Sequence, residues 1–252
     1  MSRRQVASFS MAALVAISAM LAGAPGDVGV ANAVVECPII EHARVLSDSS
    51  VAFDGALASW QLRGLAAPDF AKGGHANTTL WVRTNQSDPG QRWWVEVGAI
   101  QGWNSLNNYR FYAEDHWVDA SNKPQIDKHE FTLRPVQGHY AQFKIYKSGA
   151  SWVVQVMDGT TSTTESWTYS HGHSAAFDWA IGGEFTCSTS RIDKTYVFDN
   201  RYRRTSDGLW LDASTGALDP VPAISGSGRV WCSQPVTFRF WMNSNTSTSG
   251  CS

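Results

Sequence analysis

Two glutamates, each closing a short apolar segment, are the residues whose type and setting most suggest chemistry. Glu96 lies in Arg92-Trp93-Trp94-Val95-Glu96-Val97-Gly98, and Glu184 lies in Phe177-Asp178-Trp179-Ala180-Ile181-Gly182-Gly183-Glu184-Phe185. In a β-strand, side chains alternate between faces with a period of two. Trp93, Val95 and Val97 then share one face of the first segment, with Trp94, Glu96 and Gly98 on the other. In the second, Trp179, Ile181, Gly183 and Phe185 lie opposite Ala180, Gly182 and Glu184. Each glutamate therefore points away from the aliphatic face, with glycines leaving room beside it. Two carboxyls on one sheet face form a minimal acid–base site. An exposed glutamate on the solvent face of an antiparallel strand is also ordinary, so the pattern alone leaves a structural role open.

Other combinations offer less. His129-Glu130 has Leu133 where a second histidine would complete a metalloprotease helix, and it falls in a strand. His171-Gly172-His173 could chelate a metal, but no third ligand is nearby in sequence and a polar turn is expected. Gly226-Ser227-Gly228 lacks the strand-to-helix setting of a nucleophile elbow. Asp115 and His116 are neighbours, and strand alternation points them to opposite faces. Sequons at Asn77, Asn85 and Asn245 mark loops that could lie at the surface. No metal and no cofactor is expected.

The elements that must position the glutamates are strands. Helix signals are nearly absent after the first thirty residues, and β-rich stretches alternate with Gly, Asn, Asp, Ser and Pro clusters. Strands are expected near residues 52–63, 78–84, 92–101, 108–114, 128–133, 140–146, 151–157, 163–169, 178–187, 195–204, 209–212 and 236–241. Gly149 and Asp158-Gly159 mark hairpin turns. Many short strands at close spacing indicate an all-β fold, a two-sheet antiparallel β-sandwich of jelly-roll or concanavalin-like type. Residues 36–50 are expected to form an N-terminal arm, 214–227 a loop, and 243–252 a polar tail. Of the 12 tryptophans, Trp81, Trp152, Trp179 and Trp241 are expected in the core. Trp94, Trp103, Trp117 and Trp167 fall on the outer face or beside loops, where they could stack on sugar rings or on apolar peptide side chains.

The N-terminus has the form of a secretory signal: basic Arg3-Arg4, an apolar stretch over 11–24, and a small-x-small site at Ala31-Asn32-Ala33. The expected organisation is a signal peptide over 1–33, then a single sandwich domain over 34–252. The product is a secreted, extracellular protein without a membrane span, expected to be a monomer. A formal charge of -2, from 20 basic and 22 acidic residues, argues against a nucleic-acid partner. Four cysteines follow the signal, Cys37, Cys187, Cys232 and Cys251, an even set suited to two disulfides in an oxidising compartment. Three pairings are possible; Cys37–Cys187 with Cys232–Cys251 is the one expected here.

The motifs also resemble a known family. Val95-Glu96-Val97-Gly98, then Gly102-Trp103 and Arg110-Phe111-Tyr112, is similar to the first signature of the neprosin family of glutamic peptidases. Lys147-Ser148-Gly149-Ala150-Ser151-Trp152 resembles that family's hairpin ending in Trp, and Ile181-Gly182-Gly183-Glu184 its Gly-Gly-Glu signature. The resemblance runs from about Trp93 to Cys187. More distantly, the plan is similar to the fungal eqolisin peptidases, which use a Gln and a Glu. The resemblance implies that Glu96 and Glu184 occupy the catalytic positions of a glutamic-type endopeptidase, with proline specificity. The family's cysteine-bearing segment is missing, since residues 118–125 hold no cysteine, and its activation propeptide is missing too.

Such a pair would be an acid-active peptidase: close carboxyls do not both ionise easily, so one holds a proton while the other activates water. Glu184 is taken as base and Glu96 as acid, an order the sequence leaves open. Trp94, Trp103, Tyr112 and Gln155 are candidate substrate-binding residues, with Gln101 a further positioning group. Two alternatives stand beside the peptidase. One is a carbohydrate enzyme or lectin, since two glutamates can flank a glycosidic bond. The other is a non-catalytic binding module, in which the glutamates would lie far apart or pair with arginines such as Arg110.

Overall fold

The computed structural model describes residues 40–47, 52–88, 90, 92–187, 190–193, 195–213, 218–220 and 240–242. The expected signal peptide, Cys37, Cys232, Cys251 and the polar tail lie outside the described residues, and so does the disulfide pairing. Cys187 is buried and disulfide-bonded. No helix among the described residues is long and apolar enough to cross a membrane.

In chain order the strands are β1 (Ile40–Ser47), β2 (Phe53–Gln61), β3 (Leu65–Ala66), β4 (Ala76–Thr84), β5 (Trp94–Gln101) and β6 (Tyr109–Val118). They continue with β7 (Pro124–Glu130), β8 (Tyr140–Ser148), β9 (Ser151–Asp158), β10 (Thr163–Tyr169) and β11 (Ala176–Thr186). The last are β12 (Arg191–Ile192), β13 (Thr195–Arg204), β14 (Trp210–Asp212), β15 (Leu218–Pro220) and β16 (Phe240–Met242). One antiparallel sheet runs β15-β1-β11-β4-β5-β6-β7. The other runs β10-β9-β8-β2-β13-β14, with β16 also on β13. A short pair, β12-β3, stands apart.

The expected sandwich is what forms, and period-two patterning is the reason. Val95, Val97 and Ala99 of β5, Leu80 and Val82 of β4, and Trp179, Ile181 and Phe185 of β11 turn inward from the first sheet. Ala58 and Trp60 of β2, Phe143 and Ile145 of β8, and Trp152, Val154 and Val156 of β9 meet them from the second. Each large apolar side chain so buried contributes about 1.5–3 kcal/mol over leaving it in water. Phe111 of the first sheet meets Phe143 of the second edge-on, at 5.7 Å between ring centroids. The Trp60 indole N–H donates to the Thr78 hydroxyl at 3.1 Å, so the one polar atom of that buried ring is satisfied across the sheets.

The segments expected as an arm and a loop each contain a strand. The N-terminal arm contains β1, which pairs along β11 from Ile40↔Thr186 to Leu46↔Ala180. The loop over 214–227 contains β15, which lies on β1. β1 thus lies between β11 and the edge strand β15; the ladder of each comes from a distant partner, and neither carries a strong local strand pattern.

Candidate active site

Four adjacent strands, β11-β4-β5-β6, bring the polar residues together on the face of the first sheet turned away from the core. The registers form rows across it. Ala180, Trp81, Glu96, Glu114 and Lys128 make one row, and Gly182, Thr79, Gly98 and Tyr112 the next. Glu184, Asn77, Ile100 and Arg110 make the third. Glu96 and Glu184 thus stand diagonally across β4, on the same face, with the glycine-containing row between them. Gly98 is required by its neighbours: a Cβ there would lie 2.2 Å from the Thr78 carbonyl oxygen and 2.9 Å from Thr79 Cα.

Glu96 is buried, with 7% of its surface exposed. The indole N–H of Trp81 and that of Trp94, the latter at 3.2 Å, both donate to its Oε2, which leaves Oε1 to carry a proton. Burial, then the charge of Glu114, then that of Glu184, hold its carboxyl well above the ordinary value of 4.5. Tyr112 is 1% exposed beside it. That hydroxyl faces Glu96 and Thr79 but completes no hydrogen bond within the protein. Its proton is held more tightly than a free phenol's, by burial and then by the Glu96 and Glu114 carboxyls.

Glu114, directly opposite Glu96, is the counterweight. His116 Nε2 lies 2.8 Å from its Oε2 and Lys128 Nζ 3.0 Å from its Oε1. Burial alone would raise its pKa, but the hydrogen bond and charge of His116, with Lys128, outweigh that and keep it below the usual value. The Trp94 ring stacks on His116 at 3.8 Å, so one tryptophan braces both the acid and its neighbour. Glu96, Glu114 and His116 bring donor atoms within 4.8 Å of one another. With Glu114 already engaged by two cationic partners and Glu96 favouring its proton, this set suits proton handling better than a cation.

Glu184 is set differently. Its side chain is 29% exposed, and its Oε1 lies 2.9 Å from His75 Nε2. Its backbone N–H donates to the Asn77 side chain at 2.8 Å. His75 is itself braced, its backbone N–H donating to the Thr186 hydroxyl at 2.8 Å. An imidazole at this distance favours the ionised carboxylate. The two glutamates therefore occupy different environments: Glu96 is dry and favours its proton, and Glu184 is partly exposed with His75 beside it. Of the two, Glu96 is the carboxyl whose surroundings favour a proton.

The expected substrate residues scatter. Trp94 is half-buried and engaged with Glu96 and His116. Trp103 is not an exposed platform: it is 3% exposed and packs with Tyr112 and Ile100. Gln155 lies on β9 in the other sheet, where it donates to Ser166 at 3.0 Å, and so is removed from the site. Gln101 donates to Asn107 at 2.7 Å. Trp81, expected in the core, faces the site instead, because it alternates with the inward Leu80 and Val82 on β4 and shares the face of Glu96 through Trp81↔Glu96. Arg110 pairs with Glu130 at 2.8 Å, not with either glutamate. His75, Glu114 and Lys128 were not among the sequence candidates, and His116 was weighed only as a neighbour of Asp115. Alternation along β6 already aligned Tyr112, Glu114 and His116, and that signal was available.

No family model matches the chain, and no curated protein matches it. Solved structures do. Scytalido-glutamic peptidase with a transition-state analogue inhibitor superposes with a TM-score of 0.58 at 14% identity, covering 80% of this chain and 96% of that one. Its complex with a peptide-based transition-state analogue gives 0.57 at 13%, covering 81% and 96%. SCP-B, a member of the eqolisin family of peptidases, in complex with the tripeptide Ala-Ile-His, gives 0.55 at 12%, again covering 81% and 96%. At these identities the likeness is one of fold: an antiparallel β-sandwich like that of the eqolisin peptidases. The neprosin resemblance of the motifs has no counterpart among these matches.

Proposed function

We propose that this chain is a secreted, acid-acting peptidase of the glutamic type, with Glu96 as general acid and Glu184 as general base. The observation that carries the reading is the contrast between two carboxyls on one sheet face: Glu96 is buried where its surroundings favour a proton, and Glu184 is partly exposed beside His75. Ionised Glu184 takes a proton from a water bound between the two, and the resulting hydroxide attacks the scissile carbonyl. Protonated Glu96 polarises the carbonyl oxygen and then gives its proton to the leaving amine. Trp81 and Trp94 hold the acid's second oxygen, so its proton is directed from Oε1. The fold likeness to peptidases supports a peptide substrate. Export is supported by the N-terminal sequence, and a preference for proline-containing segments by the motif resemblance.

The test is incubation of the purified mature protein with a denatured proteome across pH 3 to 7, with sequencing of the products. Discrete peptide cleavage by the wild type is expected, strongest on the acid side. Glu96→Gln and Glu184→Gln should each lower turnover about a hundredfold or more while leaving the melting temperature near the wild-type value. Wild-type-like activity in either variant would end the assignment.

A further inference from the structure

Glu114 is a carboxylate on this face that the mechanism does not use, and its placement is not that of a surface ion pair. It is half-buried, directly across the ladder from Glu96, and clamped on both oxygens by His116 and Lys128. His116 is in turn fixed by the stacked Trp94 ring, which also donates to Glu96. We propose that Glu114 is a third functional carboxylate, a positioning residue whose fixed negative charge keeps the proton on Glu96 and so sets the alkaline limit of activity. The proposal rests on the glutamic-peptidase reading for its effect on catalysis, though not for its effect on Glu96 itself.

The argument is one of placement and charge. A negative charge within a few ångströms of a buried carboxyl disfavours that carboxyl's ionisation. To act this way Glu114 must itself stay ionised in a poorly solvated place, which requires cationic partners. His116 and Lys128 supply them, and the clamp lowers its pKa despite burial. The remaining groups facing Glu96 do not replace this role. From β4 comes the neutral Trp81, and from β6 the un-ionised Tyr112 and the clamping His116. From β7 comes Lys128, held by Glu114; from β11 comes Glu184, whose influence ranks behind that of Glu114. Arg83 and Asp178, on the same face, neutralise each other as an ion pair. An acid that discharges a proton in each turnover must be reloaded, and a neighbouring permanent charge lets it reload at higher pH.

The experiment titrates Glu96 directly, by carboxyl-carbon NMR of glutamate-labelled protein, in wild type and in Glu114→Gln, with Glu96→Gln identifying the signal. The Glu96 midpoint should fall by about one pH unit or more in Glu114→Gln. The upper limb of any pH–rate profile should fall with it, while the maximal rate changes less than threefold. Should Glu114→Gln fail to fold, Glu114→Gln combined with Lys128→Met removes one charge of each sign, and the midpoint should still move downward by a smaller amount. An unchanged or raised midpoint overturns the proposal, whether or not peptide cleavage is found. Loss of activity at every pH with an unmoved midpoint also overturns it, and makes Glu114 a proton-transfer group. Absence of cleavage in the wild type, with the midpoint shift present, sinks the peptidase reading and leaves the charge coupling standing.

Discussion

Adjacent residues on β6 belong to two carboxylate–histidine groups that look alike in sequence and differ in every physical respect. Glu114 and His116 face outward with Glu96, whereas Asp115 faces inward at the end of the core. Asp115 is fully buried; His171 Nδ1 lies 2.7 Å from one of its oxygens, and His173 Nε2 contacts the other. His173 Nδ1 in turn lies 2.7 Å from the Thr84 hydroxyl, and the Trp117 ring stacks on His171 at 3.8 Å. Both Asp115 oxygens are partnered, and the knot ties the loop after β10 to β4 and β6. The outward group holds a buried, proton-loaded carboxyl and a tyrosine hydroxyl without a hydrogen-bond partner in the protein. Composition does not separate the two; satisfaction does. Fully paired polar groups stabilise, while incompletely paired ones retain the capacity to bind or to exchange protons.

The comparison breaks most sharply under paired substitutions. Glu184→Gln should remove about two orders of magnitude or more of turnover with little change in unfolding free energy. Asp115→Ala should do the reverse, lowering stability by about 3–5 kcal/mol because it leaves the buried His173, and the partly exposed His171, without their carboxylate. Its folded fraction should keep its kcat. Urea unfolding combined with active-site-normalised turnover checks both, and a stable but inactive Asp115→Ala would show the knot to be part of the chemistry.

A smaller effect tests the glycine row between the glutamates. Gly98→Ala places a methyl carbon against the backbone of β4, where neither Thr78 nor Thr79 can step aside cheaply. A loss of about 1–3 kcal/mol is expected, with a weakened activity reflecting displacement of Glu96 two residues away. A neutral outcome on both would show that the strands separate there without cost.

The pH dependence of stability sharpens the contrast further. Burial, then Glu114 and Glu184, raise the folded-state pKa of Glu96 above its unfolded value. The folded protein therefore binds this proton more tightly. That contribution is fully present below the unfolded pKa and is lost as pH rises through the raised folded value. Urea midpoints measured from pH 4 upward should thus fall more steeply with pH in the wild type than in Glu96→Gln. Parallel profiles would contradict the raised value.

The smallest effect concerns the aromatics. Trp167 is 42% exposed and stacks on His129 at 4.0 Å, on the outer strand of the other sheet. Trp167→Ala should cost less than about 1.5 kcal/mol and leave peptide cleavage unchanged. A raised KM would instead extend the substrate surface around that edge.

Most of the strands were determined by the sequence, because alternation is local: β10 and β13 span the residues that the pattern marks, and the inward face is aliphatic along β5 and aromatic or aliphatic at Trp179, Ile181 and Phe185 of β11. The same alternation put Glu96 and Glu184 on outward faces. What it could not contain is adjacency. That β4 lies between β5 and β11, making the two carboxyls diagonal, is a fact of strand order and not of spacing along the chain. Trp81 shows the cost of local reasoning: an apolar residue in an apolar strand is most simply core, and only the Trp81↔Glu96 register turns its indole N–H into a support for the acid. His75 and Lys128 belong to the site through partners 109 and 14 residues distant. Tertiary structure alone decides which charges face one another, because pKa shifts depend on distances through space, and those are set only when the sheet is assembled.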